Sequence, residues 1–124
     1  MKILRTEERW SRRGPGEWFD GQVWIEEVVT TPVKMKAARV SFDPGARTAW
    51  HTHPLGQALH VLHGVGRVQL EGGPVQEIRA GDTVWIEPGE NHWHGASENF
   101  PMTHLAMQLA NDEGVEVVWG EKVS

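Results

Sequence analysis

Two histidines two residues apart, His51 and His53, open the stretch that holds all seven histidines of the chain, His51 to His104. On a β-strand alternate side chains share a face and stand about 6.6–6.8 Å apart by backbone rise, so both imidazoles can turn towards one ion. Gln57 follows after a turn at Pro54-Leu55-Gly56, and His92 opens another strand after the turn Pro88–Asn91. Three imidazoles and an amide oxygen suit a borderline divalent cation and leave coordination positions free for a substrate. An isolated His-x-His is more often a polar pair on a wet strand face. The spaced Gln57 and the later His92 shift the balance to a metal site. Four uncharged ligands would leave the ion its full double charge, strengthening its pull on an alkoxide, a carboxylate or cyanide.

Such ligands must be delivered by short strands, because no segment sustains an apolar stripe at helical spacing for ten to twelve residues. The pattern predicts strands at Gln22–Val29, Met35–Phe42, Ala49–His53, Gln57–His63, Gly66–Leu70, Thr83–Ile86, His92–Gly95, Met102–Leu109 and Val115–Trp119. Turns separate them at Asp43-Pro44-Gly45, Glu71-Gly72-Gly73-Pro74 and Ala80-Gly81-Asp82, where Gly and Pro supply the required backbone angles. Many short strands at this spacing predict an all-β sandwich or barrel of jelly-roll type. Residues 1–20 are polar and read as an N-terminal arm packing on a body of residues 21–124. Within the arm, Trp18-Phe19 is expected to pin it to the body, with a cover over a pocket as the alternative.

The chain has 124 residues, suited to one domain. It has no cysteine, which excludes a disulfide framework and thiolate chemistry. Twelve Lys and Arg against seventeen Asp and Glu give a net charge of −5, which argues against a nucleic-acid partner. The apolar runs are only a few residues long, so no membrane span is expected. The N-terminal residues turn acidic without an apolar stretch, and the expected location is the cytoplasm.

The segment Gly45-x5-His51-x-His53-x3-Gln57-x6-Gly64 has the spacing of the first cupin motif, and Gly81-Asp82 followed by His92 has the length of the second. The sequence therefore resembles a single-domain cupin, and more specifically the small bacterial manganese-dependent cupins that act as (R)-selective hydroxynitrile lyases. The likeness is densest in Pro44–Gln57, Pro88–Ala96 and Met102–Ala106. Gln57 stands where most cupins have Glu, although the lyase group also has Gln there, and Ala96 stands where the broad motif has Asn. The resemblance implies a metal held by His51, His53, Gln57 and His92. Manganese is the ion it implies, with Fe, Zn, Ni or Co also compatible with these ligands.

Strand parity extends the site. His94 should share the inward face with His92, and Met102, His104, Ala106 and Gln108 should share one face of their strand. His104 and His94 are the expected bases and Thr48 is expected to orient a substrate oxygen. Ala38, Val40 and Gln108 are expected to wall the substrate pocket. His63 shares the parity of Gln57 but stands about 20 Å along the strand by rise, beyond ligand reach. His60 has the opposite parity, and both are read as surface or interface residues. Trp50 and Trp93 should face away from the pocket, under a second subunit or the arm. The expected reaction is reversible cleavage of a cyanohydrin, such as mandelonitrile, to an aldehyde and cyanide. An oxygen-dependent dioxygenase and a non-catalytic small-molecule binder are the competing readings. The expected partner is a small-molecule substrate, in a homo-oligomer (dimer or tetramer).

Overall fold

Strands account for nearly all the regular structure in the computed structural model, which describes all 124 residues. A 3-10 turn, Thr6–Glu8, leads into β1 (Ser11–Arg13), β2 (Phe19–Asp20), β3 (Val23–Glu27) and β4 (Met35–Phe42). Next come β5 (Arg47–Thr48), β6 (His51–Thr52), β7 (Gln57–Leu70), β8 (Val75–Arg79) and β9 (Thr83–Ile86). The chain ends with β10 (His92–Ala96), β11 (Met102–Leu109) and β12 (Val118–Trp119). No helix is long and apolar enough to cross a membrane.

All pairings are antiparallel along the path β1-β3-β4-β11-β7-β10-β5-β2, and the sheet curls on itself around a cavity. The all-β jelly-roll architecture expected from the turn spacing is the one observed. Its hinge is β7, which is one strand of 14 residues where the sequence pattern suggested two. The first half of β7 pairs with β11 and β9; the second half pairs with β10 and β8. Gly64 is the break that the sequence pattern registered. It has φ +83°, and an added Cβ would lie 2.0 Å from the Pro101 carbonyl oxygen. Only glycine fits there, so the strand bends without ending.

Beside it, the β7–β11 register slips: Thr103 pairs with His63, but His104 pairs with Val61. Leu62 is the extra residue of this bulge, which reverses the side-chain alternation along β7. Gln57, Leu59 and Val61 are buried before it, whereas His63 is exposed after it. The reading of His63 as a surface residue holds, although its parity relation to Gln57 does not survive the bulge.

Other elements differ from expectation as well, and β1, β2 and β5 lie outside every expected strand. β8 is also outside the expected strands, because Val75–Arg79 is exposed except at Ile78 and carries no alternating apolar signal. Ala49–His53 contracts to β6, and Val115–Trp119 contracts to β12. The N-terminal segment contributes β1 against β3 and β2 against β5. Phe19 belongs to the main core with Val23, Phe42, Val61 and Met102.

Trp93 points away from the cavity, yet its cover comes from its own chain. The guanidinium groups of Arg47 and Arg67 each lie 5.3 Å from the ring centre, and Nε1–H donates to Gln69 Oε1 at 2.7 Å. A second subunit is not required to shield it. Two long cationic side chains from β5 and β7 do so by placing their guanidinium groups over the ring.

Candidate metal centre and cavity

The β6–β10 ladder places His51 directly opposite His92. With His53 just beyond β6, one nitrogen from each of the three rings lies within 4.8 Å of the others, and all three residues are buried. Each Nδ1 faces a backbone carbonyl: Ala49 for His51 at 2.9 Å, Glu116 for His53 at 2.8 Å, and Glu90 for His92 at 2.9 Å. A neutral imidazole that donates from Nδ1 keeps a lone pair on Nε2. All three Nε2 atoms are therefore set as acceptors towards one point. Nε2 of His53 is buried with no protein partner, which is costly unless something electropositive occupies the point.

Gln57 heads β7 and pairs with Gln108 of β11 in the ladder. Its Nε2 donates to Gln108 Oε1 at 3.1 Å, and its Oε1 lies 3.4 Å from His92 Nε2. The residues expected to hold a metal are thus brought together, and their donor chemistry fits a divalent ion. Burial pushes His51 well below the usual imidazole range, helped by the charge that His92 would carry, and it lowers His53 and takes His92 down to about 4. Neutral imidazole is the form that binds a metal.

A second pair lies deeper. His104 Nε2 is 2.9 Å from His94 Nδ1, so the two rings share one proton. The remaining nitrogens, His94 Nε2 and His104 Nδ1, are buried without partners. Two neutral rings with one proton in the shared bond leave one outer nitrogen protonated and the other bare. Burial drives His94 well down, reinforced by His104 and His51, and lowers His104 to about 4. Thr48 Oγ1 donates to the Ala49 carbonyl at 2.8 Å and accepts the His94 N–H at 3.2 Å. One oxygen lone pair remains.

These groups border a cavity of about 190 Å³. Thr48, His51, His53, Gln57, His94 and His104 line it, as do Ala38, Val40 and Gln108. His92 is not part of the wall. His60 is also elsewhere, hydrogen-bonded to Thr83 Oγ1 at 2.9 Å.

Sequence reasoning missed Trp119 and the carboxylates. Trp119 lies with its ring centre 4.6 Å from that of His51 and stacks on Trp18 at 5.4 Å. Trp18 and Phe19 both line the cavity, so this dipeptide is anchor and wall at once. Glu116 and Glu27 also line it, the latter tied to Arg12 at 3.0 Å. Only chain folding brings Glu116 to His53, and no local pattern announces it.

A family model described as cupin domain matches residues 38–107, the span from the middle of β4 to β11 that carries all four expected ligands. The chain is a cupin. It is 51% identical over 126 residues to an (R)-mandelonitrile lyase of Granulicella tundricola, covering 100% of this chain and 95% of that protein. A crystal structure of a cupin-like protein from Thermotoga maritima superposes with a TM-score of 0.86 at 35% identity, covering 94% of this chain and 89% of the other. The polyketide cyclase of Streptomyces resistomycificus shares the fold at a TM-score of 0.79 and 18% identity, over 98% and 87% of the two chains. Cupins thus share a scaffold across different chemistries, and what this one does must be argued from its site.

Proposed function

We propose that this cupin is a metal-dependent hydroxynitrile lyase, cleaving (R)-mandelonitrile and related cyanohydrins reversibly to an aldehyde and hydrogen cyanide. The observation that carries the reading is the adjacency of two histidine groups, one sending His51 and His53 and the other His94 and His104 to the wall of one cavity. Three imidazoles are prepared as acceptors for an ion, and beside them a proton-sharing pair remains free for acid–base work. The 51% identity to an (R)-mandelonitrile lyase over the full chain supports it.

His51, His53, His92 and Gln57 would hold the ion. When bound, a divalent metal supplies Lewis-acid polarisation of the cyanohydrin oxygen. The bare outer nitrogen of the His94–His104 pair takes the hydroxyl proton, and Thr48, by accepting the backbone N–H of His94, holds that residue in place beside the substrate. As the O–H electrons form the carbonyl, the C–C bond to the nitrile breaks and its electron pair leaves with cyanide. The pair returns a proton to cyanide, so atoms and charge balance with no further cofactor. Ala38 and Val40 leave room for the substituent on the carbinol carbon, and the apolar wall keeps water from the proton transfer.

The proposal includes manganese as the resident ion, which the family resemblance implies and the imidazole and amide donors accept. It also includes a homo-oligomer in the cytoplasm, and residues 1–20 as an arm docked on the body 21–124 through β1 and β2. Cyanide release from (R)-mandelonitrile by metal-loaded protein, measured with an oxygen electrode in the same cell, tests the activity. Metal-dependent release without oxygen uptake is expected. Fully loaded protein that releases no cyanide above background overturns the reading.

A further inference from the structure

We infer that Glu116 and Gln108 form a positioning relay that locks the Gln57 amide with its oxygen towards the three imidazoles. This rests on the metal-site reading above and deepens it. The two ends of a glutamine amide have nearly the same shape, so shape alone does not choose which end faces the ion. The hydrogen-bond chain chooses. An ionised carboxylate only accepts, so the Gln108 group 3.2 Å from Glu116 Oε1 has to be Nε2. That leaves Gln108 Oε1 to face Gln57 and to accept from Gln57 Nε2 at 3.1 Å. The oxygen of Gln57 is then the end 3.4 Å from His92 Nε2.

The consequence is a contact that ordinary hydrogen bonding would avoid. His92 donates from Nδ1 to the Glu90 carbonyl, so its Nε2 carries no proton. Two lone pairs face each other across 3.4 Å, an arrangement that only a cation makes favourable. Without Glu116 both amides are free to turn over together. Gln57 would then offer its NH2 to His92 Nε2, placing a donor where an ion needs an acceptor.

Glu116 has a second tie, because its backbone carbonyl accepts the His53 Nδ1–H at 2.8 Å. A single residue thus sets the donor direction of two of the four ligands. The loop that carries it is internally fastened, with Asn111 Oδ1 accepting from the backbone N–H of Glu113 and of Val115.

The test is a double-mutant cycle read by Mn2+ affinity, titrating chelator-stripped protein and following free Mn2+ by electron paramagnetic resonance. Gln108→Leu and Glu116→Ala are each expected to weaken Mn2+ binding by about 10–100-fold in the natural background, with the melting temperature of the metal-free protein little changed. In a Gln57→Glu background either carboxylate oxygen faces the ion whichever way the group turns. There the same two substitutions should cost less than about threefold, since nothing remains to be oriented. Equal losses in both backgrounds, or no loss in the natural one, overturn the relay. Natural protein that binds no Mn2+ overturns the metal reading and the relay with it. Absence of cyanide release with this coupling intact overturns the lyase reading alone.

Discussion

His94 and His104 differ from the other three buried histidines in having no backbone carbonyl at an outer nitrogen; each faces the other instead. That leaves them free to exchange a proton while His51, His53 and His92 are tied. His104→Ala and His94→Ala should each lower kcat for cyanohydrin cleavage by roughly 10²–10⁴-fold, the usual contribution of a positioned acid–base group. Bound metal, measured by elemental analysis, should stay stoichiometric in both. His51→Ala should do the reverse and lose the metal first. Thr48 was legible as a residue beside the ligands, but its two local hydrogen bonds were not. They commit its hydrogen to the Ala49 carbonyl and one lone pair to the His94 N–H, so it has no hydrogen left to donate to a substrate oxygen.

β10 is the strand on which the site depends, carrying His92 and His94 on one face and Trp93 on the other. It is clamped between β7 on one side and β5 and β6 on the other. At Gly95 an added Cβ would lie 2.3 Å from the Ala46 carbonyl oxygen and 2.6 Å from Arg47 Cα. Gly95→Ala is therefore expected to destabilise the fold by about 1–3 kcal/mol, as overpacking does, and to lower the melting temperature. Gly16→Ala is the control: nothing lies within 4 Å of that Cβ, and the melting temperature should hardly move. Strand existence was readable from alternation and turn residues. The continuity of β7 was not, because a glycine in a strand resembles a break until its neighbour, Pro101, is known.

For the molecule as a whole, five buried histidines held below their ordinary range tie stability to pH. His92 and His104 stand at about 4 in the fold, and a histidine in the unfolded chain titrates near 6.5. As pH falls between these values the unfolded chain takes up protons that the folded chain refuses. Stability is then fully present above about 6.5 and is lost progressively towards 4. Urea midpoints of the metal-free protein at pH 7.5, 6 and 5 should fall in that order; a flat series would contradict the burial of these rings. Added metal binds only the folded arrangement. At 100 times its dissociation constant it should stabilise by about 2.7 kcal/mol, an increment that a chelator removes.

The expected ligand set and the fold class were both legible in the linear pattern. His-x-His, the spaced Gln57 and the later His92 are chemical choices that spacing exposes. A chain of short strands between Gly and Pro turns has few ways to bury its apolar face. Tertiary structure alone decided the directions. Which nitrogen of each ring is bare depends on carbonyls as distant in sequence as Glu116 is from His53. The exposure of His63 depends on a bulge at Leu62, and the shielding of Trp93 on Arg47 and Arg67. Hydrogen bonds and cation–π contacts act through space at about 3–5 Å, and a one-dimensional pattern carries no information about which distant residue will arrive there.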